Sequence, residues 1–105
     1  KAVSSGEITY AVRDTTIDGR EIHSGDILFL GDNGLLSAEK DILSAVREAL
    51  PKMGEGEILS LYYGEDVKAE DAEALVSEIQ KDNPDLEIEL QNGGQAVYYY
   101  LVSLE

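Results

Sequence analysis

The spacing of apolar residues changes period partway along this chain and then changes back, and few architectures accommodate both. Ile8, Tyr10 and Val12 alternate with Glu7, Thr9, Ala11 and Arg13, the period-two pattern of a strand with one buried face, which predicts a strand from Glu7 to Arg13. Ile27 to Leu30 is a short apolar run. It is followed by Gly31-Asp32-Asn33-Gly34, residues that tolerate positive φ, and then by Leu35 and Leu36, which reads as a hairpin. From Ala38 the period becomes 3.6, because Ile42, Leu43, Val46 and Leu50 fall on one helical face and Glu39, Lys40, Arg47 and Glu48 on the other. Ser37 is the expected N-cap, and Pro51 and Gly54 the stop signals.

Ile58 to Tyr63 is an apolar strand ending at Gly64. A second helix follows, with Ala72, Leu75, Val76 and Ile79 as its buried stripe and Asn83-Pro84 closing it. Leu86, Ile88 and Leu90 then alternate with Glu87, Glu89 and Gln91. Val97 to Leu104 is β-branched and aromatic, and Asn92-Gly93-Gly94 predicts a tight connection into it from the preceding strand. The order β-β-β-α-β-α-β-β specifies an α/β (α+β) fold, a mixed sheet of about five to six strands with two helices laid on it. With 105 residues and 43% apolar composition, the chain builds one core and reads as a single domain, residues 1–105. Val46 and Leu75 are expected in that core.

There are no cysteines, so disulfides, thiolate metal sites and cysteine nucleophiles are excluded together. No stretch approaches the roughly 20 consecutive apolar residues that span a bilayer, and no basic-then-apolar leader opens the chain, so a cytoplasmic protein without membrane insertion is expected. Eight basic residues against 22 acidic ones give a net charge of -14, which repels phosphate backbones and excludes nucleic acid as a natural partner. The same acidity serves solubility, or steers the chain toward a basic surface. The chain opens on Lys1 rather than methionine, as a fragment or a processed chain would, so its function is expected to be completed elsewhere.

Catalytic chemistry needs a constellation, and none is legible. Gly31-Asp32-Asn33-Gly34 lacks the lysine of a phosphate loop and Gly93-Gly94 precedes a strand, so the chain is not expected to bind ATP. Asp14, Asp18 and Asp32 match no calcium loop and suit turns instead. His23 lies between Ile22 and Ser24 without a visible partner and is expected at the surface. No serine sits in a nucleophile elbow. The expectation is therefore no catalytic residue, no cofactor and no metal ligand. Six tyrosines are the more informative residues, concentrated in Tyr62-Tyr63 and Tyr98-Tyr99-Tyr100. Neighbours along a strand face opposite sides of a sheet, so each cluster offers one ring to a core and another to solvent or a partner. Tyr62, Tyr63, Tyr98 and Tyr100 are the candidate partner-binding residues.

Three segments, Glu7-Ile8-Thr9-Tyr10-Ala11-Val12-Arg13-Asp14-Thr15-Thr16-Ile17-Asp18-Gly19, Leu61-Tyr62-Tyr63-Gly64-Glu65-Asp66-Val67, and Gly93-Gly94-Gln95 with Tyr98 to Glu105, resemble the C-terminal domain of the fatty acid kinase A subunit family. That family is also labelled dihydroxyacetone-kinase-like or DAK phosphatase, and the resemblance covers nearly the whole chain. It implies a bacterial multidomain kinase subunit whose N-terminal domain binds ATP and magnesium, and whose C-terminal region engages a DegV-like fatty-acid-binding protein for acyl phosphate formation. By that resemblance this chain is a non-catalytic recognition domain, with the DegV-like protein and the other domains of its parent as partners. The alternatives are a substrate domain for a dihydroxyacetone-like molecule and a structural or dimerising domain. Two family prolines are replaced here by Ala96 and Tyr99, which frees the entry of the last strand to pair but leaves it less rigid. Lys68 stands where a serine cap is usual.

Overall fold

In the computed structural model, which describes residues 3–105, the chain forms β1 (Ser4–Tyr10), β2 (Thr15–Ile17), β3 (Arg20–Ile22), β4 (Ile27–Gly31), β5 (Gly34–Glu39), α1 (Ile42–Ala49), β6 (Ile58–Tyr63), α2 (Ala69–Asp82), β7 (Glu87–Asn92) and β8 (Tyr100–Leu104). Six strands make one mixed sheet in the order β5-β4-β1-β8-β6-β7, and β2 with β3 forms a separate hairpin. Every pairing in the large sheet is antiparallel except β6 with β7, which α2 connects as a parallel crossover. The expected fold class and the order of helices among the main strands hold; the β2–β3 hairpin is an addition to them.

Both helices lie on one face of the sheet. Ile8, Phe29, Tyr100, Val102, Leu59 and Leu61 point up from the strands and meet Ala45, Val46 and Ala49 of α1 and Ala72, Leu75 and Ile79 of α2 in one apolar cluster. The 3.6-period stripes thus mark the faces that are buried, Val46 and Leu75 included. The other sheet face is covered only at one end, where the small hairpin sets Ile22 against Ala11, Leu28 and Ala38. Arg20 locks that hairpin down, donating to the Ala38 carbonyl at 2.8 Å and to Glu48 of α1 at 2.6 Å.

Four local expectations are corrected. Ser37 is not the N-cap of α1: β5 stays paired with β4 as far as Glu39, so the chain is still extended there. The Ser37 side chain is fully buried and its hydroxyl donates to the Ala45 carbonyl at 2.7 Å. The cap is Asp41, whose carboxylate accepts from the Ser44 amide and hydroxyl at 2.8 and 2.9 Å. The first strand runs Ser4–Tyr10 rather than Glu7 to Arg13. Its buried positions are Gly6 and Ile8, whereas Val12 is 75% exposed. Gly6 gives no hydrophobic signal because the Phe29 ring occupies the space a Cβ would need. The last strand begins at Tyr100 rather than Val97. Finally, Asn92-Gly93-Gly94 does not join neighbours in a tight hairpin, because β6 lies between β7 and β8.

Truncating Leu75 to alanine is expected to destabilise the chain by about 2–5 kcal/mol through lost transfer energy and the cavity left behind, read as a lowered urea midpoint. A second expectation concerns acid. Arg20, with help from Glu39 and Lys52, holds the Glu48 carboxyl down to about 2 from its ordinary 4.5. A carboxylate depressed on folding contributes stability that is complete above its unfolded value and is lost as pH falls through its folded one. Glu39 moves the opposite way because it sits beside Glu48, which offsets part of that loss. Glu48→Gln should therefore flatten the fall in stability between about pH 4.5 and 2, measured as the urea midpoint against pH.

Candidate functional site

The tyrosines gather because the chain must carry β7 across the end of β6 to reach β8. Residues 93–99 make that crossing, and backbone polarity fixes its path: the Gly93 and Gly94 amides both donate to the Tyr63 carbonyl, at 2.9 and 3.1 Å, and the Gly64 amide donates to the Tyr99 carbonyl at 2.8 Å. Gln95 is the bracket. Its side-chain amide donates to the carbonyls of Tyr62 and Tyr98 at 2.9 and 3.3 Å, while its own carbonyl accepts from Glu65 at 2.9 Å.

The first strand closes the corner from the other side. The Tyr99 amide donates to the Ile8 carbonyl at 2.8 Å, a bond that a proline at this position has no N–H to make. The Thr9 hydroxyl donates to the Val97 carbonyl at 3.3 Å, and the rings of Tyr10 and Tyr99 pack with centroids 5.7 Å apart. The three segments that carry the family resemblance therefore meet in space. Held among these bonds, Val97 adopts φ 76 with its side chain 66% exposed, a left-handed conformation that costs a β-branched residue about 1–3 kcal/mol.

This corner sorts the four candidate tyrosines into two pairs. Tyr63 is registered opposite Tyr100 on the helix-facing side of the sheet. The Tyr100 ring is only 1% exposed, and burial, with the Asp71 charge adding to it, pushes its hydroxyl up to about 12. Tyr100 is thus a core ring, not a projecting anchor. Tyr62 and Tyr98 belong to the opposite, helix-free side and are half-buried. Tyr62 stands in a cross-strand row running Leu30, Glu7, Leu101, Tyr62, Gln91 over five strands. Tyr98 joins this row through Glu7, whose carboxylate raises the pKa of its hydroxyl. The row is amphipathic and flanked by the exposed Glu87 and Glu89 of β7.

Sequence reasoning does not single out Leu101, the centre of that row. Its signal is the alternation Leu101, Val102, Ser103, Leu104, in which one leucine falls out of phase with the buried set. His23 lies at the surface with its Nε2 3.5 Å from Glu21. Asp14 and Asp18 accept backbone amides, from Ser24 at 2.8 Å and Leu35 at 2.9 Å, which are the turn roles expected of them. Lys68 is the N-cap residue of α2 and makes no side-chain capping bond.

Gly64 is the residue the corner tolerates least to change. A Cβ there would run into the Tyr98 carbonyl and lie 2.8 Å from that of Gln95. Gly64→Ala should cost about 1–3 kcal/mol through overpacking and accelerate hydrogen exchange at the Gly93, Gly94 and Tyr99 amides. Unchanged exchange there would dissociate Gly64 from the loop.

The family described as the C-terminal domain of fatty acid kinase A-like subunits (FakA-like) matches this chain over residues 1–105. The protein YloV of Bacillus subtilis (strain 168) is 39% identical over 105 residues, covering 98% of this chain and 19% of YloV. An uncharacterized protein of Staphylococcus haemolyticus is 38% identical over 107 residues, covering 100% of this chain and 19% of that protein. The chain thus spans about a fifth of the length of these relatives. Matched along its whole length, it belongs to the FakA-like C-terminal domain family of fatty acid kinases.

Proposed function

We propose that this domain is the recognition module of a fatty acid kinase, and that it docks a DegV-like fatty-acid-binding protein on the open face of its sheet. The observation that carries this reading is the helix-free row of Leu101, Tyr62 and Leu30, with Tyr98 beside it, interrupted and flanked by carboxylates. Half-buried tyrosines combine a large apolar area with a hydrogen-bonding hydroxyl at low entropic cost, which suits them to anchor an interface. The surrounding acidity complements a basic partner surface and accelerates encounter at low ionic strength.

In this reading the domain holds no catalytic group, cofactor or metal of its own. ATP and magnesium belong to the N-terminal domain of the parent, and the assembly works in the cytoplasm. Among the described residues no helix is long and apolar enough to cross a membrane. The negative charge argues against a substrate domain for a phosphorylated three-carbon ketone, which it would repel.

Surface plasmon resonance against the DegV-like protein tests the model. Tyr62→Ala and Tyr98→Ala are each expected to weaken binding by about 2 kcal/mol, roughly thirtyfold, mainly through faster dissociation. Glu89→Gln should act chiefly on the association rate and on its salt dependence. If neither tyrosine substitution weakens binding in a folded variant, docking on this face is wrong.

A further inference from the structure

On the opposite side of the sheet, between the first turn of α1 and the N-terminal half of α2, lies a cavity of about 580 Å³. Its walls are apolar, formed by Ile27, Ile42, Leu43, Val67 and Leu75, and its rim carries Asp41, Asp66, Asp71 and Glu78. Tyr100 lines it too. Among the described residues the Tyr100 hydroxyl has no hydrogen-bond partner, yet no unpaired side-chain polar atom is sealed from solvent. With the ring 1% exposed, the hydroxyl reaches solvent only through this cavity.

The four rim carboxylates are not equivalent. Asp41 is taken up by capping α1, and Glu78 is paired with Arg47 and Lys81 at 3.5 and 2.9 Å. Asp66 and Asp71 have no cation within ion-pairing distance among the described residues. A position in the first turn of α2 accounts for Asp71 by itself, since negative charge is favourable at a helix N-terminus. It accounts neither for Asp66, which precedes the helix, nor for the open tyrosine hydroxyl beneath.

We propose that this groove is a binding site for a polypeptide segment that carries a bulky apolar side chain next to lysine or arginine. The apolar side chain fills the floor, the cation meets Asp66 and Asp71, and the Tyr100 hydroxyl hydrogen-bonds the segment's backbone. Charge decides against the other occupants. A fatty carboxylate would enter a ring of carboxylates, and a second copy of a chain of net charge -14 would bring like rims together. The site is independent of docking on the open face, because the sheet separates the two. One domain can therefore hold two partners at once.

The test uses the 105-residue chain, labelled for amide NMR, and the peptide acetyl-Lys-Lys-Leu-Phe-Lys-Lys-amide, with a counterpart in which glutamate replaces every lysine. The lysine peptide should shift the amides of Ile42, Leu43, Val67 and Ala74, and the glutamate peptide should not. The double variant Asp66→Asn with Asp71→Asn lies at exposed positions and should weaken binding by about tenfold. Tyr100→Phe, which removes only the hydroxyl, should weaken it by a smaller factor. Shifts spread evenly over the acidic surface, or concentrated at Tyr62 and Leu101, would overturn the proposal, as would an affinity unchanged by the double variant. Hexylammonium binding as tightly as the lysine peptide would overturn the polypeptide assignment. Each of these outcomes is read by residue, so it leaves the open-face model to its own experiment.

Discussion

The structure depends on β8, because among the described strands it alone joins the two halves of the sheet. On one side it pairs with β1 and through it with β4 and β5; on the other it pairs with β6 and through it with β7. Its partners are far apart in sequence, so closing the sheet orders a long intervening chain before the last strand's hydrogen bonds are gained. Once inserted, β8 places Tyr100, Val102 and Leu104 in the centre of the helix-covered core, all buried. The crossing of residues 93–99 over β6 follows from that insertion. The tyrosine corner is thus a product of topology before it is a feature of composition.

Helical periodicity is legible because each helix covers one face of the sheet and keeps the other in water, so Val46, Leu75 and Ile79 announce their burial by spacing alone. Strand order is not. A strand's pattern states that a face is buried, not which neighbours it has, and β6 with two partners reads the same as β6 with one. This is why Asn92-Gly93-Gly94 reads as a hairpin turn and is not one. The β2–β3 hairpin escapes notice because three residues per strand are too few to show a period; its one signal is Asp18-Gly19, where φ is positive at both residues, 51 and 81, as a two-residue hairpin turn requires.

The site is half legible for the same reason. Adjacent tyrosines must face opposite sides of a sheet, and they do: Tyr62 to the open face, Tyr63 to the core side. Which member of a pair is sealed depends on where the helices sit, and no local pattern carries that. Ser37 makes the point in miniature. Its hydroxyl is a good cap in isolation, but β5 needs its backbone extended, and α1 offers the Ala45 carbonyl as a buried acceptor instead. Tertiary pairing overrides a local preference worth about 1 kcal/mol.

The acidity acquires meaning from where the cations have gone. Arg20, Lys40, Arg47, Lys52 and Lys81 each lie within 3.5 Å of a carboxylate, on Glu48, Asp26, Asp82, Glu48 and Glu78 respectively. These pairs tie the small hairpin to α1, the β5–α1 turn to Asp26, and α1 to α2, so most of the positive charge serves to hold elements together. What remains uncompensated is concentrated on the two faces that carry exposed apolar surface: Glu87 and Glu89 beside Tyr62 and Leu101, and Asp66 and Asp71 over the groove at Tyr100. Charge spread for solubility alone would have no reason to follow apolar surface. Long-range attraction brings a basic partner near, but it falls off within a Debye length of about 8–10 Å and fixes no register. The rings and leucines between the carboxylates supply the short-range contacts that do, which is why charge and aromatic surface are useful here only together.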